Sequence, residues 1–326
     1  MIVPAHWAEA RRQHRAKGKQ VTIRRYGWSD LSHADALAMA QTRADDALQR
    51  ALSGEKLERR EPKVAYNGAQ GTPIREEILQ RHGEQIITRN GYGARCLNSP
   101  NALFADVDFE DESILGPTLL VFFVLAAAAV LVGMLSRSLL LGIALALISA
   151  VAAYPLTLLA RRINTAAQGG ADRLARKRLE SFLAANPSWA VRLYRTPAGL
   201  RILATHQPFD ANADEVKRFF SAVRADPMYV RMSANQHCFR ARLSAKPWRI
   251  GIAAHMRPRP GVWPVDPERI DMRNAWVAEY EAKAAEFAAC RYLESLGSGQ
   301  IHIALREVID LHDSQSRALD EAAKLA

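Results

Sequence analysis

The longest apolar run in the chain lies between Ile114 and Ala160 and reads ILGPTLLVFFVLAAAAVLVGML, then SRS, then LLLGIALALISAVAAYPLTLLA. Each half carries about twenty successive residues free of acidic side chains, the length a helix needs to cross roughly 30 Å of hydrocarbon. Only Ser136, Arg137 and Ser138 separate the halves, so the pattern predicts a tight transmembrane helical hairpin. Gly116 and Gly133 mark the places in the first half where either the hairpin packs on itself or a second chain approaches.

Outside the hairpin the periodicities are those of a mixed domain. Leu31, Ala34, Leu37, Ala38, Ala40, Ala47, Leu48 and Ala51 recur at helical spacing between Ser29-Asp30 and Gly54. Pro73 and Gly83 bracket IREEILQRHG and predict a short helix there. Gln85–Thr88 and Ala102–Phe109 alternate as strands, with a turn at Asn90-Gly91. Beyond the hairpin, Ala171–Ala185 is an amphipathic helix with Leu174, Leu179, Phe182 and Leu183 on its apolar side. Ala190–Arg195 and Leu200–Thr205 are strands joined by the turn Thr196-Pro-Ala-Gly, and Asp210–Arg224 is a helix. Asp226-Pro227 opens an extended stretch before the strand Cys238–Leu243, and Lys246–Pro267 is an irregular, proline-rich wrapping segment. Arg273–Leu296 reads as one helix ended by Gly297, followed by a tail with a short strand or helix and then a polar helix.

The expected fold class is therefore α+β, a small antiparallel sheet with packed helices, interrupted by the two-helix transmembrane hairpin. Residues 1–30 read as a basic tail; 31–113 and 161–267 as two parts of one cytosolic domain flanking the hairpin at 114–160; and 268–326 as a helical C-terminal region.

Charge and cysteine usage narrow the setting. A net charge of +10 favours anionic partners such as lipid head groups, nucleotides or nucleic acid. Cys96, Cys238 and Cys290 are widely spaced, which disfavours a disulfide framework or structural zinc and fits a reducing compartment. The segment MIVPAHWAEARRQHRAKGKQ has no apolar core, so insertion is expected to rely on the hairpin. Arg161, Arg162, Arg173, Arg176, Lys177 and Arg178 follow the second span and favour the cytoplasmic side. An even number of spans then puts both termini in the cytoplasm, as a two-pass protein of the inner (plasma) membrane.

Three clusters carry candidate chemistry. Asp106 and Asp108 fall on one face of their strand, where two carboxylates repel unless a cation lies between them; hard oxygen ligands suit Mg²⁺ or Mn²⁺. In the hairpin Tyr194–Arg201, Thr196 and Gly199 can bring backbone amides close to a ligand, and Arg195 and Arg201 are of a type that pairs with phosphate. Arg240 and Arg242 alternate to one face, with Lys246 just beyond and Asp226 upstream, a cationic face suited to a triphosphate. His206 reads as a structural residue at a strand end, and His302, His312 and Asp313 as surface residues. No GxxxxGK[ST], HExxH or GxSxG occurs, which disfavours P-loop NTPases, zincins and α/β-hydrolases.

In order along the chain, the strand ending in DxD, the Thr-x-x-Gly hairpin and an acidic residue before an arginine-rich strand resemble the archaeo-eukaryotic primase (primase-polymerase) superfamily over about Gln85–Trp248. The resemblance implies that Asp106, Asp108 and Asp226 bind Mg²⁺ or Mn²⁺. It implies that Thr196, Gly199 and Arg201 form the hairpin motif, and that Arg240, Arg242 and Lys246 contact phosphates, in a nucleotidyltransferase-like site. Arg201 stands where that family usually has histidine, no zinc-binding cysteine cluster accompanies the motifs, and the hairpin is inserted between the first two. The expected function is a membrane-anchored, metal-dependent site for a nucleotide or nucleic acid. The alternative is a non-enzymatic membrane adaptor that meets lipid through basic surfaces and a partner protein through its terminal helices.

Overall fold

The structure, a computed structural model, describes residues 3–16, 19–61, 72–109, 115–167, 169–259, 261 and 263–326. Glu110, Asp111 and Glu112, which continue the acidic run after Asp108, lie outside the described residues.

The N-terminal segment is a β-hairpin rather than a tail. Strands β1 (His6–Ala16) and β2 (Lys19–Ser29) pair antiparallel from His6↔Ser29 to Ala16↔Lys19. Helix α1 (His33–Leu52) lies across them, with Ala36, Ala40 and Ala44 buried against Ala8 and Ala10. Ser32 caps the helix: its hydroxyl accepts from the Asp35 amide at 3.1 Å. Gly27 sets the approach, since a Cβ there would lie 2.1 Å from the Ala36 carbonyl oxygen. Small residues on both surfaces thus replace the bulky apolar face that would have betrayed the packing in the sequence.

Two four-stranded antiparallel sheets follow. The first contains β3 (Glu77–His82), β4 (Gln85–Arg89), β5 (Arg95–Ser99) and β9 (Phe239–Arg242), in that order across the sheet. The second runs β11 (Arg291–Gly297), β7 (Ala190–Arg195), β8 (Gly199–Ala204), β6 (Phe104–Asp108). One apolar core joins them, with Leu97 and Phe239 from the first sheet and Phe104, Leu193 and Leu203 from the second. Helices α4 (Gly170–Ala185) and α5 (Asp214–Val223) cover it through Leu179, Leu183, Val216 and Phe219. Helix α8 (Ile303–Ser316) adds Leu305 and Val308. The small parallel pair β10 (Phe287–Ala288) and β12 (Lys324–Leu325) ties the C-terminus back.

The α+β class is as expected, but several elements differ. Residues 77–82, expected in a helix, form β3, and Gly83 (φ 53°) makes the hairpin turn to β4 rather than stopping a helix. Asp226-Pro227 begins a helix, α6 (Pro227–Gln236): Asp226 Oδ1 accepts from the Met228 and Tyr229 amides at 2.6 and 2.9 Å, and proline sits at the first turn. The helix expected over 273–296 ends early, as α7 (Ile270–Ala284), and its second half becomes β11 on the free edge of β7. From the region 268–326, β11 and α8 join the second sheet and the main core, while Tyr280 and Ala284 of α7 pack in a smaller cluster with Ala94, Ala245 and Ile250. His312 and Asp313, expected at the surface, are 0% and 5% exposed. His206 is structural as expected, buried against Trp189 with ring centroids 4.7 Å apart.

The apolar hairpin consists of α2 (Leu115–Leu135) and α3 (Leu139–Ala167), the second running past Ala160. Both are long and apolar enough to cross a membrane, with hydropathies of 2.7 and 2.3 and only 6% and 11% of those stretches buried. At the closed end Gly133 meets Gly142, where a Cβ on Gly133 would lie 2.9 Å from the Gly142 Cα; Gly116 has no such neighbour among the described residues. Gly133 therefore packs the hairpin on itself.

Candidate functional site

Strand β6 organises the site. Its inward residues Ala105 and Val107 are buried, which turns Asp106 and Asp108 outward on the opposite face. Pairing with β8 places Asp106 opposite Arg201 and Asp108 opposite Gly199. Gly199 is required there by packing alone, because a Cβ would fall 2.0 Å from the Val107 carbonyl oxygen. On the other edge of β6, the Asp226 amide donates to the Asp106 carbonyl at 2.9 Å, bringing the start of α6 to the carboxylate strand.

Across from β6, strand β9 alternates. Ala241 is fully buried in the core, while Arg240 and Arg242 face the opposite way. A 3₁₀ turn over Pro247–Ile250 then carries Lys246, Trp248 and Arg249 to the same end of the molecule. The result is a cleft of about 220 Å³ lined by Asp106, Asp108, Asp226 and Thr196 on one side and by Arg240, Arg242, Lys246 and Arg249 on the other.

The two sides are electrostatically unequal. Asp106 is neutralised from beneath: Arg201, 1% exposed, donates from Nε at 2.8 Å and from Nη2 at 3.1 Å, one bond to each carboxylate oxygen. Burial raises the Asp106 carboxyl, but Arg201, with Arg242 and His312, more than offsets it and holds the group below the usual carboxylate range. Arg240 is likewise engaged, bonding Glu76 at 2.7 Å. Arg242, Lys246 and Arg249 instead crowd one another. Burial and the neighbouring Arg242 and Arg249 lower the Lys246 ammonium, and burial and Arg242 lower Arg249. Arg242 Nε and Arg249 Nη1 are buried with no hydrogen-bond acceptor among the described residues. A concave wall of mutually repelling cations with unspent donors is what an anionic ligand relieves.

The structure thus gathers seven of the expected residues into one cleft: Asp106, Asp108, Asp226, Thr196, Arg240, Arg242 and Lys246. Three do not line it. Arg195 pairs with Asp172 of α4 at 2.8 Å and lies over Phe109; Gly199 serves the β6–β8 contact; Arg201, expected at phosphate, is buried against Asp106 and donates to the Arg242 carbonyl at 2.9 Å. Tyr92, Tyr229 and Arg249 line the cleft without having been singled out in the sequence. Arg249 was within reach of sequence reasoning, lying in the cationic run after β9, whereas Tyr92 enters only through the turn between β4 and β5. Among the described residues, no three His, Cys, Asp or Glu side chains are arranged to hold a metal ion. The Asp106 oxygens face Arg201 and Asp226 Oδ1 faces two amides, so these carboxylates are partly spent on the fold.

Beneath the cleft, Arg201 Nη1 also reaches His312 Nε2 at 3.4 Å, and His312 Nδ1 lies 3.0 Å from Asp313 Oδ1. Asp313 in turn pairs with Arg192. A buried polar chain thus braces the β6–β8 pair against α8. Comparisons of this chain with known protein families, with curated proteins and with solved structures find no match.

Proposed function

We propose that the chain is a membrane-anchored nucleotide-binding protein whose cleft takes the phosphates of a nucleoside triphosphate. The observation that carries this reading is the cluster Arg242, Lys246 and Arg249, half-buried and mutually repelling, with guanidinium donors that lack acceptors among the described residues. In this reading Mg²⁺ or Mn²⁺ arrives with the phosphates as part of the ligand, and Asp106 and Asp108 face it from β6. A divalent cation would supply charge neutralisation of the phosphates beside these carboxylates.

The likeness to primase-polymerases supports a nucleotide as ligand. Primer extension fits less well, because the residue in the place of the family's histidine is Arg201, committed to Asp106. Binding without chain extension is the better reading. The hairpin α2–α3 crosses the inner membrane, and the arginines at 161, 162 and 173 keep both termini on the cytoplasmic side. Both terminal helices spend apolar or small faces inside the chain, α1 on the β1–β2 hairpin and α8 in the main core, which favours this reading over the adaptor.

The test is Mn²⁺-dependent binding of nucleoside triphosphates to the detergent-solubilised full chain, beside an Asp106→Asn/Asp108→Asn variant whose folding is checked by circular dichroism. The proposal expects metal-dependent binding by the wild type and its loss in the folded variant. Equal binding by both would remove the carboxylates from the function; no binding by the wild type would favour the adaptor.

A further inference from the structure

At the mouth of the cleft an aromatic pair stands beside the phosphate-binding cations. Trp248 is 55% exposed although the two ends of its turn, Pro247 and Ile250, are buried. Its ring centroid lies 5.4 Å from that of Tyr92, at an interplanar angle of 61°. Tyr92 itself lines the cleft. Lys246, a cleft residue, places Nζ 5.4 Å from the centroid of the same Trp248 ring. One lysine therefore joins the indole to the cationic wall.

The pair is held rigidly. Asn90 Oδ1 accepts from the Tyr92 and Ala94 amides at 3.2 and 3.0 Å, closing the turn that carries Tyr92. Gly93 (φ 98°) lets Trp276 pack directly on that turn, where a Cβ would lie 2.3 Å from the indole. Trp276 is fixed in turn by its Nε1 donating to the Ala254 carbonyl at 2.9 Å and by stacking on Tyr280. On the other side, the Ile252 amide donates to the Pro247 carbonyl at 2.9 Å and closes the Trp248 turn. An exposed indole on a fixed turn loses little freedom when a flat ring stacks on it.

We propose that Trp248, supported by Tyr92, is the nucleobase platform of the cleft: the base stacks on the indole while the phosphates lie against Lys246, Arg249 and Arg242. This rests on the nucleotide reading above and deepens it, naming the residue that distinguishes a nucleotide from any other polyphosphate. The chemistry is that of aromatic platforms for bases, in which a π-face gives affinity without selecting among the bases. Lys246, lying 5.4 Å from the same ring, brings its ammonium to the phosphate end of the ligand beside the platform.

The experiment measures ATP and inorganic tripolyphosphate binding, each with Mn²⁺, to the detergent-solubilised full chain by titration calorimetry, for wild type, Trp248→Ala and Trp248→Phe. ATP is expected to bind more tightly than tripolyphosphate to the wild type. Trp248→Ala should weaken ATP by about 5- to 150-fold, the range of one base–aromatic stack. It should leave tripolyphosphate unchanged, and Trp248→Phe should retain most of the ATP affinity. If Trp248→Ala leaves ATP binding unchanged, or weakens ATP and tripolyphosphate alike, the platform is overturned while the phosphate cleft stands. If the wild type binds neither probe, both are overturned.

Discussion

Arg201 is the residue whose role departs furthest from its sequence reading. An arginine in a short hairpin between a leucine and an isoleucine reads as a solvated or phosphate-facing group. The register of β6 against β8 instead sets it opposite Asp106, and the arginine becomes one of the largest fully buried side chains of the protein. Breaking such a pair from one side leaves an uncompensated charge, which costs about 3–5 kcal/mol. Arg201→Met should therefore lower unfolding stability by that order in urea titrations, and Asp106→Asn added to it should recover part of the loss. Equal stability of Arg201→Met and wild type would mean the pair does not brace the site. Asp313 is also held below the ordinary carboxylate range: burial raises it, and His312 and Arg192 more than offset the rise. Groups depressed in the fold contribute stability above their unfolded value and lose it as pH falls through the folded one. The melting temperature should thus hold down to about pH 4, near the ordinary aspartate value, and fall steeply below it. A melting temperature flat through that acid range would contradict both pairs. What could be read in advance at this scale was anything with period two: Asp106 with Asp108 and Arg240 with Arg242 share faces as the alternation demands. The pairing partner of each could not, because register across strands far apart in the chain leaves no mark on local spacing.

At the scale of elements, two glycines act where backbones come closest. Gly199→Ala would place a Cβ 2.0 Å from the Val107 carbonyl, forcing β6 and β8 apart. It should reduce expression of folded protein and abolish ligand binding together. Gly27→Ala would collide with α1 at 2.1 Å, yet α1 and its strands share only a small alanine core away from the cleft. Limited proteolysis should therefore find the N-terminal hairpin loosened while nucleotide binding persists; loss of binding in this variant would show that the N-terminal unit supports the site. Two of the elements misread in the sequence share a cause. Residues 77–82 and 291–297 have helix-compatible composition and become strands only because a neighbouring strand offers an unpaired edge, β4 in one case and β7 in the other. Tertiary pairing overrides local propensity in such segments. The helices with continuous apolar stripes, α4 and α5, were legible in the sequence, as were the strands β4, β6, β7, β8 and β9, whereas β5 was not.

For the whole molecule, the apolar hairpin is the feature most plainly written in the sequence, since its length and hydropathy need no partner to be recognised. Helix α3, at 29 residues, is about 43 Å long at 1.5 Å per residue, more than the roughly 30 Å of hydrocarbon it would cross. Its last turns, with Arg161 and Arg162, would stand clear of the apolar layer. The proposed topology is checked by cysteine labelling of intact cells, where the native cysteines, all buried, give little background. A membrane-impermeant thiol reagent should modify Ser138→Cys in the hairpin turn and spare Ser53→Cys after α1. Labelling of Ser53→Cys in intact cells would reverse the orientation.

The account turns on the cationic wall of the cleft, and the most direct test is to neutralise it. Nucleoside triphosphate would be titrated into the detergent-solubilised full chain and into an Arg242→Gln/Lys246→Gln variant, at low and high salt. Two charged contacts at about 1.5–3 kcal/mol each predict a loss of at least about a hundredfold in affinity, with a shallower salt dependence in the variant. The same affinity and salt dependence in both proteins, or no binding by the wild type, would contradict a phosphate-binding function for this cleft.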